Sequence, residues 1–173
     1  MTSEIKTIYF GGLNGNCYLI KTDDGFVLID TARAAKRTKL EKELESAGCN
    51  PGNLKLIILT HGDFDHTGNC AYLRQKFRTK IAMHYYDSGM VERGDMFWNR
   101  KTGNFLIRKI INILFRISKF KPDFTIEEGY DLSEYGLDAN VLYLPGHSKG
   151  SIPYFRFFKR INQVPPEYHF AFS

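Results

Sequence analysis

Cysteine is scarce in this sequence and is not paired along the chain. The 173 residues include three cysteines, Cys17, Cys49 and Cys70, and no C-x-x-C pair. Disulfide-dependent domains are dense in cysteine, and zinc knuckles and redox motifs use closely spaced pairs. The sequence therefore argues against all three, and a reducing cytoplasm is the expected location.

Long apolar runs are missing as well. No stretch reaches the roughly 18 uninterrupted apolar residues that a membrane-spanning helix needs. Residues 1–6 also lack the basic stretch and apolar core of a secretory signal peptide. We therefore predict neither secretion nor stable membrane insertion.

Acidic side chains are absent from one segment, residues 100–121. Its seven basic residues are Arg100, Lys101, Arg108, Lys109, Arg116, Lys119 and Lys121. The whole chain has a net charge of +5, so the other residues together are slightly acidic. Because the positive charge is confined to one segment, we do not expect nucleic acid as a partner.

The same segment predicts an amphipathic helix within Phe105 to Lys121. Apolar residues recur there at spacings of three and four, with basic and amide residues between them. The simplest interpretation is a helix packed on its own domain with its basic side chains in solvent. A helix at a membrane surface and a lid over an acidic substrate are the alternatives.

The remaining pattern predicts a mixed α/β fold (α/β or α+β). Helical patterns cover residues 34–47, 70–77 and 88–121, the last of which contains the amphipathic segment. Runs of β-branched and aromatic residues predict strands at 5–10, 17–21, 26–29, 54–59, 80–84, 123–132 and 141–144. With 43% apolar residues and no linker, the chain is expected to form a single domain, residues 1–173.

Four metal-ligating side chains follow the predicted strand at 54–59. They are His61, Asp63, Asp65 and His66. Imidazole nitrogens and carboxylate oxygens both bind Zn²⁺, Fe²⁺ and Mn²⁺, so the cluster predicts a site for a divalent metal. The alternative is a polar turn whose acids cap a helix, with Asp65 as the capping residue.

At two places the sequence resembles the metallo-β-lactamase superfamily of metal-dependent hydrolases. The family motif H-x-[H/E/D]-x-D-H matches His61–His66, and P-G-H-[T/S]-x-G-S matches Pro145–Ser151, which contains His147. Supporting matches are Asn16–Ile20 and Leu28–Thr31. The order and spacing agree from Ile5 to Ser151.

The resemblance implies an αββα sandwich with one or two divalent metal ions at one edge of its sheets. Carried over by position, His61, Asp63 and His147 would hold the first ion, and Asp65 and His66 the second. A bridging water activated by the metals would attack an ester, thioester, lactam or phosphoester, with Asp65 carrying the proton. Asp30 matches a position that supports the ligands, although a strand-ending Asp is as often a turn residue.

Two features depart from the family pattern, and the first concerns the metal. Zinc is the expected ion, but Asp63 stands where many members have histidine. A harder oxygen ligand raises the suitability of iron or manganese.

The second departure lies after Ser151. The family continues with a strand that ends in a Gly-Asp, whose aspartate bridges the metals, and later with a final histidine; neither can be located here. Pro153 is expected to interrupt that strand. Glu167 and His169, the one acid and the one imidazole after Ser151, are candidate substitute ligands. We expect residues 152–173 to be an atypical, truncated or frame-altered tail that leaves the sandwich incomplete.

These observations predict a metal-dependent hydrolase with a small-molecule substrate. An iron-dependent redox enzyme is the alternative within the same fold, and a non-catalytic, degenerate product is the alternative outside it. Residues 154–173 contain seven aromatic side chains. They predict self-association, because an uncovered sheet edge and apolar side chains favour contact with another chain.

Overall fold

A six-stranded sheet lies at the centre of this computed structural model, which describes residues 4–12, 14–100, 104–115, 118–143, 147–152 and 154–157. The strands lie side by side in chain order: β1 (Glu4–Ile8), β2 (Cys17–Thr22), β3 (Gly25–Ile29), β4 (Leu54–Leu59), β5 (Lys80–His84) and β6 (Phe124–Ile126). The first three are antiparallel, and β3 to β6 are parallel. Parallel neighbours require crossover connections, and helices supply them between β3 and β6.

Five helices and a second, two-stranded sheet complete the described elements. The helices are α1 (Arg37–Ser46), α2 (Phe64–Thr67), α3 (Cys70–Phe77), α4 (Tyr85–Arg93) and α5 (Phe105–Leu114), with short 3₁₀ turns at Ala34–Lys36 and Ser133–Tyr135. In the second sheet, β7 (Ala139–Leu142) pairs antiparallel with β8 (Tyr154–Phe157). No helix among the described residues is both long and apolar enough to cross a bilayer.

The core is divided between the two faces of the large sheet. Alternate strand residues point to opposite faces, so Leu28 and Ile57 pack toward the helical layer, whereas Val27 and Ile58 pack toward the second sheet. Helices α1, α3 and α4 cover the first face, and β7 covers the second. The predicted mixed α/β fold is confirmed, and the described residues form a helix layer and two sheets of the αββα sandwich.

Most predicted elements lie where the sequence places them, and three differ. The strand predicted at 123–132 is confined to β6, after which the chain turns at Gly129, where φ is +79°. The helical region from residue 88 is divided into α4 and α5, because α4 ends in a left-handed Gly94. The strand expected to be interrupted by Pro153 is present as β8, since it begins one residue later.

Helix α5 corrects the simplest interpretation of the basic segment. Most apolar side chains of this helix do not pack on the domain, because none of them is fully buried and Ile111 alone among them is half-buried against the core. Its half-buried residues include Arg108 and Asn112, which form hydrogen bonds with the turn at residues 95–97. The polar side of α5 therefore faces the protein, and its apolar side faces solvent.

Candidate metal centre

The candidate site lies where the parallel strands β3, β4 and β5 end. Asp30 directly follows β3, the loop 60–66 follows β4, and His84 is the last residue of β5. The carboxyl ends of adjacent parallel strands meet at one sheet edge, which is where α/β proteins commonly place their sites. The fold thereby brings together residues that are more than thirty positions apart in the sequence.

Three of the predicted ligands converge at this edge. The Nε2 atoms of His61 and His147 lie 3.4 and 2.9 Å from Oδ2 of Asp63. One possible ligand atom from each residue lies within 4.8 Å of the others. His61 and Asp63 are buried, whereas His147 is exposed, so the group is open on one side. Two imidazoles and one carboxylate with an open side suit a divalent ion that also binds a substrate or water.

The surroundings of His61 support this donor set. The hydroxyl of Thr60 donates to Asp30 (2.7 Å) and therefore accepts a hydrogen bond from Nδ1 of His61, 2.9 Å away. His61 is thus left with its lone pair on Nε2, which faces a carboxylate oxygen of Asp63. Two electron-rich atoms at that distance are stabilised by a cation or a proton between them, so the residues fit a metal ion.

Arg100, which the sequence analysis did not select as a site residue, already pairs with one predicted ligand. Its Nη1 and Nη2 atoms each lie 2.8 Å from one oxygen of Asp63, in a bidentate ion pair. Burial alone would raise the pKa of Asp63, but hydrogen bonds from His147, from His61 when a proton takes the place of the cation on its Nε2, and from Arg100 hold that pKa well below its ordinary range. Any metal ion bound by Asp63 therefore shares the carboxylate with a guanidinium or displaces it.

Asp30 and His66 form a second, more deeply buried pair. Oδ2 of Asp30 accepts from Nδ1 of His66 (2.7 Å) and from the Thr60 hydroxyl, while Oδ1 accepts from the Thr60 backbone amide (2.9 Å). Burial lowers the pKa of His66, but the charge and hydrogen bond of Asp30 outweigh it, and the pKa is raised. Asp30 is thus held by three hydrogen bonds and fixes the ring of His66.

Asp65 lies beside His66 but outside the converging group. Its Oδ2 is 3.6 Å from Nε2 of His66, and its side chain is partly exposed. The capping interpretation of this loop is wrong, because the residue at the N-cap of α2 is Asp63, whose side chain makes no capping bond. Glu167 and His169, the candidate substitute ligands, lie outside the described residues.

Asp87, which the sequence analysis also missed, joins the two motif loops. This fully buried carboxylate accepts from the amide of Gly62 (3.3 Å), from the Ser148 hydroxyl and from the amide of Gly150 (2.9 Å). A Cβ atom on Gly150 would lie 2.8 Å from the carboxyl carbon of Asp87, so this approach requires glycine. No sequence pattern singles out Asp87, because helix α4 also contains Glu92 and Arg93.

A groove of about 450 Å³ opens next to these loops. Its wall includes Tyr85, Tyr86, Arg93, Trp98, Asn99 and Lys149. The guanidinium of Arg93 lies 3.7 Å from the centre of the Trp98 ring, which orients the indole. Nearby, His84 stacks on Tyr143 at 4.4 Å and accepts from the Tyr86 amide, as expected for a packed histidine.

Comparisons with known proteins identify relatives of this chain. The chain is 29% identical to the hydroxyacylglutathione hydrolase GloC of Haemophilus influenzae over 165 residues, which cover 91% of this chain and 68% of that protein. It is 25% identical to the bovine acyl-coenzyme A thioesterase MBLAC2 (85% of this chain, 56% of that protein). It is 24% identical to the probable metallo-hydrolase YqgX of Bacillus subtilis (84% and 62%). The chain thus spans between about half and two thirds of the length of these relatives.

Solved structures share the fold. The metallo-β-lactamase BJP-1 of Bradyrhizobium japonicum superposes with a TM-score of 0.74 at 21% identity, covering 94% of this chain and 57% of that one. GOB-18 of Elizabethkingia meningoseptica gives a TM-score of 0.72 at 21% identity (95% and 58%). The family model described as the metallo-beta-lactamase superfamily matches residues 10–161. With most of its length matched, the chain belongs to the metallo-β-lactamase superfamily.

Proposed function

We propose that this protein is a metal-dependent hydrolase that cleaves thioesters. The observation that carries the proposal is the convergence of His61, Asp63 and His147 within 4.8 Å at one sheet edge. Two relatives support the substrate class, because acylated glutathione and acyl-coenzyme A both join an acyl group to sulfur. Esters, lactams and phosphoesters are the other classes that such a centre hydrolyses.

The three converging residues would hold the first ion, and Asp65 and His66 would contribute to a second. A bound divalent ion would supply a Lewis acid for the substrate carbonyl and lower the pKa of a water molecule. Zinc is the first expectation, and the carboxylate of Asp63 also suits iron or manganese. Because five donors are available and three of them converge, we expect one ion to bind tightly and a second more weakly.

The chain's own residues would orient these donors and handle the proton. Thr60 and Asp30 hold the rings of His61 and His66 so that each presents its Nε2 atom to the site. Asp65 is the carboxylate on the partly exposed side of that loop and would carry a proton between the site and solvent.

The aromatic groove would bind the substrate. Its basic residues, Arg93 and Lys149, match the carboxylates of glutathione and the phosphates of coenzyme A. Asn99 is adjacent to Arg100 in the sequence, and Lys149 is close to His147. The groove that they line is therefore near the predicted ligands. With the thiol carrier bound in this groove, its acyl group would extend to the predicted metal-binding residues.

Metal titration and thioester hydrolysis test this proposal together. The wild-type chain should bind zinc or manganese and hydrolyse an acyl-glutathione or acyl-coenzyme A, and His61→Ala should lose both properties. His84→Asn is a matched control, because it removes a nearby imidazole and retains a capping acceptor; it should keep both.

Three outcomes would contradict the proposal. Hydrolysis of esters or phosphodiesters without thioesters would show that the substrate class is wrong. Stoichiometric iron without hydrolysis of any substrate would favour the redox alternative. Metal binding without turnover under any of these conditions would favour a non-catalytic protein.

A further inference from the structure

Helix α5 presents an unusually apolar surface to solvent. Six large apolar side chains on its outer side are between 56% and 73% exposed: Phe105, Leu106, Ile107, Ile110, Ile113 and Leu114. At 3.6 residues per turn these six and Lys109 share one continuous arc of roughly 200°. Contiguous apolar surface of this kind marks an interaction site in a water-soluble domain.

The polar side of α5 holds the helix in this orientation. Nδ2 of Asn112 donates to Asp95 (2.7 Å), and Oδ1 of Asn112 accepts from the Met96 amide (3.3 Å). Arg108 donates to the carbonyl of Phe97 (3.1 Å). Turning the apolar side inward would break these bonds and bury the polar groups without partners. The exposed apolar arc is therefore built into the fold.

The charge around the arc favours an anionic partner. Lys109 lies on the arc, Lys119 and Lys121 are exposed beyond its end, and residues 100–121 contain no acid. Apolar side chains bordered by lysines are the pattern of a helix that lies in the interface of an anionic bilayer. Two copies pairing through α5 would instead bring these lysines together, and like charges oppose that contact.

We propose that α5 docks this protein on the surface of an anionic lipid bilayer, with its apolar arc among the acyl chains. The docked helix is joined to the candidate metal loop, because Phe115, at its C-terminal end, stacks on Phe64 at 4.5 Å. Phe64 lies between Asp63 and Asp65, so docking holds that loop close to the lipid surface. The docking proposal does not depend on the proposed hydrolase activity.

Vesicle sedimentation of the full chain tests the proposal. Vesicles of phosphatidylcholine with one third phosphatidylserine should bind the protein, and pure phosphatidylcholine vesicles should bind it much more weakly. High salt should weaken the binding, because salt screens the attraction of lysines to anionic headgroups. The single tryptophan, Trp98, lies in the turn that precedes α5 and provides a fluorescence signal for the same titration.

Substitutions separate the apolar and electrostatic contributions. Ile110→Ser with Leu114→Ser should weaken binding by about tenfold or more, because two exposed apolar side chains are removed from the lipid. Lys109→Ser should weaken it by about fivefold. Tyr9→Ser is the matched control, since Tyr9 is 66% exposed outside α5, and its binding should equal that of the wild type. Because all these positions are exposed, the variants should melt at the wild-type temperature.

Two results would overturn the proposal. The first is that the wild-type protein binds neither kind of vesicle, or binds both kinds equally well. The second is a concentration-dependent dimer that the double serine variant abolishes, which would assign the apolar arc to a second copy of the chain.

Discussion

The site contains two aspartate–histidine pairs that differ in their surroundings. Asp30 and His66 are 2.7 Å apart, and both side chains are buried. Asp63 and His147 are 2.9 Å apart, but the His147 side chain is 65% exposed. The remaining partner of Asp30 is the uncharged Thr60, whereas Asp63 also pairs with the guanidinium of Arg100.

This difference separates a structural pair from an exchangeable one. Asp30 has no access to solvent and accepts three hydrogen bonds from Thr60 and His66, so it serves to orient the loop. Asp63 has its charge balanced by an arginine that belongs to another segment and is partly exposed. We therefore expect a metal ion to replace the guanidinium of Arg100 as the partner of Asp63, while the Asp30 pair remains unchanged.

Removal of Asp30 should have the largest effect on stability. Asp30→Ala leaves His66 and both Thr60 donors without their acceptor in a buried place, and we expect the free energy of unfolding to fall by about 3 kcal/mol. Asp30→Asn should lower the free energy of unfolding by less. The asparagine side chain retains one acceptor oxygen, and asparagine tolerates the φ of +60° at this position. Urea unfolding of the metal-free variants measures both. A loss below about 1 kcal/mol for the alanine variant would refute this role for the pair.

Removal of the Arg100 guanidinium should have opposite effects on stability and metal binding. Arg100→Met should lower the stability of the metal-free protein by about 1–2 kcal/mol, because Asp63 loses a bidentate partner. It should strengthen zinc or manganese binding about tenfold or more, since a positive charge is removed beside the site. Chelator competition measures the metal affinity.

The matched control for this experiment is Arg108→Met. Arg108 pairs with Asp95 at 3.5 Å and makes no bond to the predicted ligands, so its loss should leave the metal affinity unchanged. Equal metal affinities for the Arg100 variant and the wild type would mean that the ion does not bind to Asp63.

The two pairs should produce opposite pH dependences in the metal-free protein, and this is the smallest expected effect. The pKa of His66 is raised on folding, so its contribution is complete below about pH 6.5 and is lost as pH rises through the folded-state pKa. The pKa of Asp63 is lowered on folding, so its contribution is present above about pH 4 and is lost as pH falls. Unfolding in urea across this range measures both. Asp30→Asn should reduce the loss of stability as pH rises. An unchanged pH dependence in that range would mean that a group other than the Asp30–His66 pair causes it.

Prediction from the sequence was most accurate for short, local patterns. Strand β5 and helix α3 have the bounds that the sequence indicated, and the resemblance to the family implied the set His61, Asp63 and His147, which the structure brings together. Whether these residues bind a metal stays a prediction. Local patterns succeed because residue spacing within one strand or helix directly sets which side chains share a face.

Contacts between distant segments could not be predicted in the same way. Arg100 lies 37 residues from Asp63, and Ser148 lies 61 residues from Asp87. Nothing in the spacing of such residues indicates that they meet, because their distance depends on the path of the whole chain between them.

Helix α5 shows most clearly where determination by the sequence ends. The sequence by itself determined that an amphipathic helix lies within residues 105–121 and that the ligand-type residues follow the ends of buried strands. Only the tertiary structure decided that Arg108 and Asn112 face the protein while Ile110 and Leu114 face solvent. Periodicity defines the two sides of a helix, but the hydrogen-bonding groups available on the neighbouring turn decide which side packs against the domain.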